Sequence, residues 1–218
     1  ASRLAGVRGN VRVGRAGVVA DGVTGTLNGH PVEVSGLRGW DKSLDLNVAV
    51  KGVSIPEIED LIGQNIGFKA HGDAVATIRA DADSLVYDGV FTGELEGFAM
   101  EEVAGRALVG KTAVLLEGMH GKVNGATFSG GGVVDISDKR NVRFVLEGDV
   151  ADVDLAKGLV PGEDDLPPTD GAGRLRIEHA DHPMWTRVSG WLGNGRIDIL
   201  PFDNCLVDVT ATPDSVYF

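Results

Sequence analysis

The chain has 218 residues, enough for one large domain or two small ones, and its 43% hydrophobic and 24% charged content is that of a folded, water-soluble protein rather than a disordered one. A formal charge of −12 argues against nucleic-acid binding and against electrostatic docking on anionic membranes, since the long-range field repels both. Apolar runs such as Leu4–Val7 and Ala113–Leu116 fall far short of the ~20 residues of a membrane-spanning helix.

In chain order, the opening ASRLAGVRGN reads as strand rather than as a signal peptide, and the closing DSVYF lacks a polar tail. This predicts a fragment whose anchor or export signal lies outside it. Short strands are expected at Val11–Val13 and Val32–Val34. A clear period-2 strand follows, with Leu44, Leu46, Val48 and Val50 alternating with Asp45, Asn47, Ala49 and Lys51. Ser54–Ile55–Pro56–Glu57 has the form of a capping box with proline in the first turn and predicts a short helix through EIEDLIGQNI, placing Ile58, Leu61 and Ile62 on one side. Strands then follow at Ala74–Arg79 and Leu85–Tyr87. A second alternating strand carries Val142, Phe144 and Leu146 against Arg143, Val145 and Glu147. The stretch DVADVDLAKGLV predicts a second short helix with Asp152 as its cap and Leu155 and Leu159 four apart, and PGEDDLPPTDG, Pro161 to Gly171, predicts an exposed loop. The last strands are expected at Arg174–Glu178, Trp185–Val188, Arg196–Leu200 and Leu206–Val209. The turns LNGH, YDGV, VNGA and LGNG suit tight hairpins because Gly, Asn and Asp tolerate positive φ. The fold class read from this pattern is all-β, mostly antiparallel, with one short helix per repeat unit.

The repeat is carried by spacing. GVTGTLNG at Gly22–Gly29 has its partner in GMHGKVNG at Gly118–Gly125, and the same 96-residue offset links Val18 to Val114, Gly36 to Gly132 and Gly52 to Gly148. After a small insertion, an offset of 99 links Gly72 to Gly171 and Ile78 to Ile177. Two tandem units are expected, residues 1–98 and 99–218. Glycine supplies 32 residues, about twice the ordinary ~7%, whereas the lone Cys205 excludes an intrachain disulfide.

A strand pair, then GxxGxxNG, then VxVxG strands, a short helix of the kind IPEIEDLI or VDLAKGLV, and a glycine-led HGDAVATIRA or DGAGRLRI strand together resemble the AsmA-like superfamily, which includes TamB and its relatives. The resemblance implies an elongated, curved sheet forming an open apolar groove, the β-taco. It also implies a periplasmic protein of diderm bacteria with an inner-membrane anchor, and a non-enzymatic role in conducting phospholipid between the membranes or in outer-membrane assembly. Its partners would be phospholipid acyl chains, adjoining repeats of the full-length protein and an outer-membrane assembly partner, with no nucleic acid and no cofactor. Leu44, Leu46, Val48, Val50, Val142, Phe144 and Leu146 are the expected groove lining. The acids are expected on the opposite face and in the Glu163–Asp165 loop, with Lys51, Arg79, Arg143 and Arg176 flanking the lip. Two readings of the same residues stay open: the amphipathic strands also suit an ordinary two-sheet sandwich core, and the acidic, glycine-rich repeat also suits an adhesin or polysaccharide-binding module.

Chemistry-bearing residues form no catalytic signature. His179, Asp181 and His182 are the densest candidate metal ligands, but the strand pleat puts 179 and 181 on one face and 182 on the other, and a solvated hairpin end is the expectation. His30, His71 and His120 read as turn residues beside glycines. Asp81, Asp83, Glu94 and Glu96 are spaced to face one another across a hairpin, yet lack the cleft that paired catalytic carboxylates need. Gly130–Gly132 and Gly171–Gly173 precede no helix and so form no phosphate cradle. Cys205 is expected as a small core residue, and Trp40, Trp185 and Trp191 as packing residues, with Gly190 breaking the strand between the last two.

Overall fold

The computed structural model describes residues 3–54, 57, 70–81, 85–95, 98–138, 141–152 and 169–217. Fifteen strands are present among the described residues: β1 (Leu4–Val13), β2 (Gly17–Leu27), β3 (His30–Gly39), β4 (Leu44–Ser54), β5 (Ala70–Ala80), β6 (Leu85–Leu95), β7 (Phe98–Val109), β8 (Ala113–Val123), β9 (Ala126–Asp135), β10 (Arg143–Ala151), β11 (Thr169–Asp181), β12 (Met184–Ile197), β13 (Leu200–Phe202), β14 (Cys205–Thr212) and β15 (Ser215–Tyr217). They form one antiparallel sheet in which each strand pairs with its neighbour in sequence, except that β13 is a short flap on β12, which also pairs β14. The sheet is open, with β1 at one edge and β15 at the other. The sandwich reading is thereby corrected, since no second sheet exists among the described residues.

Alternation dictates which side chains share a face. Two-residue turns at Asn28–Gly29 and Asn124–Gly125 hold both residues at positive φ, 52° and 97° in the first and 48° and 85° in the second, the conformation that joins antiparallel strands tightly. Each asparagine also stitches its turn to the strand beyond: Arg3 N–H donates to Asn28 Oδ1 at 2.7 Å, and Ala99 N–H donates to Asn124 Oδ1 at 2.8 Å. Glycine at Gly130 and Gly148, directly opposite each other, lets β9 and β10 approach closely, because a Cβ on Gly130 would meet the Glu147 carbonyl and the Gly148 Cα.

The sequence reading needs several corrections. Arg196–Leu200 is not one strand, because Asp198 adopts φ 54° and turns the chain between β12 and β13. The exposed loop ends before Gly171, since Asp170 already pairs with Arg196 in β11 and β12. Of the two expected helices, Ile58, Leu61 and Ile62 of the first and Leu155 and Leu159 of the second lie outside the described residues, while Asp149–Ala151 belong to β10. The Glu163–Asp165 loop, Asp83 and Glu96 likewise lie outside them. Glu57 does receive the Ser54 N–H at 2.8 Å and the Ser54 hydroxyl at 2.9 Å, which is the carboxylate half of a capping box.

Burial is one-sided. Among the described residues, eight of the nine buried hydrophobic ones, Leu27, Val53, Ala76, Val103 and Leu192 among them, share a face, and the ninth, Ala180, lies on the other. The densest packing is at the β11–β14 end, where Leu175, Val188, Leu192 and Val207 form a cluster with Val150, Ile177, Phe202, Cys205 and Val209 against it. Cys205 thus sits at a core margin, half-buried.

Candidate functional site

The candidate site is the apolar face, and register defines it. Starting from Leu46, the directly opposed residues run through Gly36, Ala20 and Val11 toward β1. In the other direction they run through Ile78, Tyr87, Ala107, Leu116, Gly132, Leu146, Ile177, Val188 and Val209. One unbroken row of apolar side chains and glycines therefore crosses thirteen strands. At the ~4.8 Å spacing of neighbouring strands its contour is about 58 Å. Burial on this face pushes the Tyr87 hydroxyl above its ordinary pKa.

Leu44, Leu46, Val48 and Val50 occupy this face in β4, half-buried, and Phe144 and Leu146 occupy it in β10. The unbroken register between the two strands places all six on the same side of the sheet. Val142 precedes β10 and is held by its main chain, its N–H donating to Asp181 Oδ2 at 3.2 Å while its carbonyl accepts the Asp181 N–H. Sequence reasoning missed the remainder of the row. Ala107, Gly132 and Ala20 carry too little side chain for a hydropathy pattern to single them out.

The opposite face is polar and built from cross-strand ion pairs. Arg79 lies 3.5 Å from Asp45, Arg106 3.7 Å from Glu117, Arg174 3.0 Å from Glu147, and Arg187 and Arg196 each 2.8 Å from Asp208 and Asp170. These guanidinium hydrogen bonds hold the Asp170 and Asp208 carboxyls below their ordinary pKa. Arg79, one residue from the end of β5, and Arg176, in the middle of β11, thus pair with acids on the polar face, Arg176 reaching Glu178 at 2.9 Å. A hollow of about 360 Å³ on this side is lined by polar residues, Glu33, Ser35, Asn47, Thr77 and Asp88, together with apolar ones, among them Ala49 and Val75. An apolar strip, Val86, Leu108, Leu115, Val133 and Val145, also crosses it.

Polar chemistry reaches the apolar face at the strand ends. His179 stacks on Phe144 with ring centroids 4.9 Å apart, and its two ring nitrogens lie 2.8 Å from Thr186 Oγ1 and 2.9 Å from Asp181 Oδ1. Both ring nitrogens are thus engaged by protein. No group of three His, Cys, Asp or Glu arranged for a metal exists among the described residues. His71 and His120 are strand residues rather than turn residues, and His30 opens β3. Asp81 and Glu94 stand at opposite ends of the β5–β6 hairpin and do not face each other. Gly190 does not break β12: the strand runs through it and puts Trp185 and Trp191 on the polar face, opposite Ala180 and Arg174. Trp40 is 60% exposed and donates its indole N–H to the Gly14 carbonyl at 3.0 Å, tying the β3–β4 turn to the β1–β2 turn.

Comparison with family models, with curated proteins and with solved structures gives no match. The resemblance to the AsmA-like superfamily therefore rests on the sequence elements alone.

Proposed function

We propose that this chain is a lipid-conducting segment of a non-enzymatic, periplasmic envelope-biogenesis protein of the AsmA-like kind, with the apolar face as its groove. The observation that carries the reading is the row from Val11 to Val209, apolar or glycine on every strand it crosses. Each methylene of an acyl chain moved from water onto such a surface contributes about 0.8 kcal/mol without a directional bond. A chain held this way is retained by area yet free to slide, which is what conduction needs and what a hydrogen-bonded pocket prevents. The finer architecture belongs to the same proposal: two tandem units, 1–98 and 99–218, each with a short helix, anchored to the inner membrane by a segment outside this sequence. Adjoining repeats and an outer-membrane assembly partner complete it.

Photo-crosslinking side chains at Leu46 and Phe144 are expected to capture phospholipid in cells, while one at Asn47, on the polar face, captures none. Equal capture at all three positions, or at none, overturns the proposal. The second reading, a polysaccharide-binding module, draws on the hollow of the polar face, where Ser35, Asn47, Thr77 and Asp88 stand beside Ala49 and Val75, and on the exposed Trp191. Glycan-array binding lost on Asn47→Ala, without co-purified lipid in native mass spectrometry, selects it instead.

A further inference from the structure

β1 and β7 are the same element in two settings. Gly9 and Gly105, 96 residues apart, take φ 133° and 155°; Gly6 and Glu102 take 61° and 50°. The register of β1 against β2 shifts between Ala5 and Arg8 and again between Arg8 and Asn10, and that of β7 against β8 shifts between Glu101 and Ala104 and between Ala104 and Arg106, at the same offset. The first turns match as well, with Gly14 N–H to Gly17 O at 2.9 Å and Gly110 N–H to Ala113 O at 2.8 Å. They differ on the other side. β7 is paired along its length with β6, whereas β1 is the edge of the sheet. The consequence shows in one pair of equivalent side chains: Val103 is 9% exposed and Val7 is 52% exposed.

We infer that the open edge of β1 is an acceptor for an antiparallel strand of the β6 pattern, supplied by another polypeptide segment. Exposed edges are ordinarily guarded by bulges and charges. The bulges of β1 give no such protection, because β7 carries the same ones against β8 and still pairs with β6. The pairing of β6 with β7 shows how the occupant sits. Phe91 lies opposite Val103, Gly89 opposite Gly105 and Tyr87 opposite Ala107, and Thr92 Oγ1 accepts the Glu102 N–H at 3.0 Å. On β1 these places belong to Val7, Gly9, Val11 and Gly6. The occupant therefore carries apolar residues on the apolar face and a small residue opposite Gly9. Charge completes the fit. Asp88 faces Arg106 in β7, and the equivalent position in β1 is Asn10, flanked on the same face by Arg8 and Arg12. An acid opposite Asn10 sits diagonal to both arginines, within reach of long side chains. Arg12 approaches Asp21 only to 3.9 Å and is largely exposed.

The test uses the full chain and a synthetic peptide, LVYDGVFTGEL, identical to residues 85–95. The peptide is expected to bind saturably and to slow amide exchange within residues 4–13 only, the signature of strand addition. Val7→Asp, at a half-exposed site where it is expected to leave the circular dichroism spectrum unchanged, is expected to weaken binding about tenfold or more, as is a peptide with lysine in place of Asp88. A peptide of the same composition with its alternation shifted by one residue should not bind, because its apolar side chains would face the wrong side. Equal binding of the shifted peptide, protection elsewhere in the sheet, or no binding of the matched peptide overturns the inference. Concentration-dependent self-association that excludes the peptide also overturns it, by making the occupant a second copy.

Discussion

Glu57 shows how a single carboxylate can tie two parts of the sheet together. It accepts from Ser54 twice, from Asn28 Nδ2 at 3.0 Å, and lies 3.9 Å from His30 Nε2, so it connects the end of β4 to the β2–β3 turn. The Ser54 backbone hydrogen bond, foremost among these, holds its pKa below the ordinary glutamate value. A carboxyl whose folded pKa is depressed adds stability that is present above its unfolded pKa, ~4.3, and is lost as pH falls through the folded value. Glu57→Gln should therefore cost about 1 kcal/mol in urea titrations at pH 7 and nothing measurable at pH 2, since the charge-assisted bonds are already gone there. An equal loss at both pH values would assign the effect to packing. Asp41 and Asp135 follow the same sign through hydrogen bonds from Ser43 and Ser137. His179 offers the reverse case for mutation. His179→Leu removes a ring whose nitrogens both have partners, leaving Asp181 and Thr186 without it, and is expected to cost about 1–3 kcal/mol despite the gain in apolar surface.

At the scale of the strand, face decides outcome more than hydrophobicity does. Val48 on the apolar face of β4 and Val75 on the polar face of β5 differ in setting, the first half-buried and the second 64% exposed. Val48→Asp should destabilise by several kcal/mol, about 2–5, whereas Val75→Asp should change stability by less than about 0.5 kcal/mol; comparable losses would refute the face assignment. The alternation that produces this was legible in the sequence wherever large residues marked it, as in Leu44–Val50 and Phe144–Leu146. It was illegible where glycine or alanine stood in the row, since Gly132 and Ala107 hold their places by register alone. Bulges were hidden too. The shift between Ala20 and Val23 leaves no hydropathy trace, yet it resets which residues of β2 face inward. Gly190 misled in the opposite direction: a glycine at φ 148° reads as a break, but here it lets β12 pass close to the Arg174 carbonyl without interruption.

Across the whole molecule, a meander in which nearly every strand touches only its sequence neighbours behaves as a one-dimensional array, its stability summed from local pairings rather than from one central core. The packing is uneven along that array. Leu192, fully buried, anchors the cluster at the β11–β14 end, while β1 at the other end is exposed along nearly its whole length. Native-state hydrogen exchange is therefore expected to be slowest in β11, β12 and β14 and fastest in β1. Leu192→Ala should cost about 2–5 kcal/mol locally, accelerating exchange in β10–β14 roughly a hundredfold or more while β2–β4 change by less than about threefold. A uniform acceleration from β2 to β14 would mean that the sheet unfolds as one cooperative unit. That outcome would also weaken the conduit reading, because a surface that passes acyl chains along its length needs strands able to adjust locally without the whole sheet giving way.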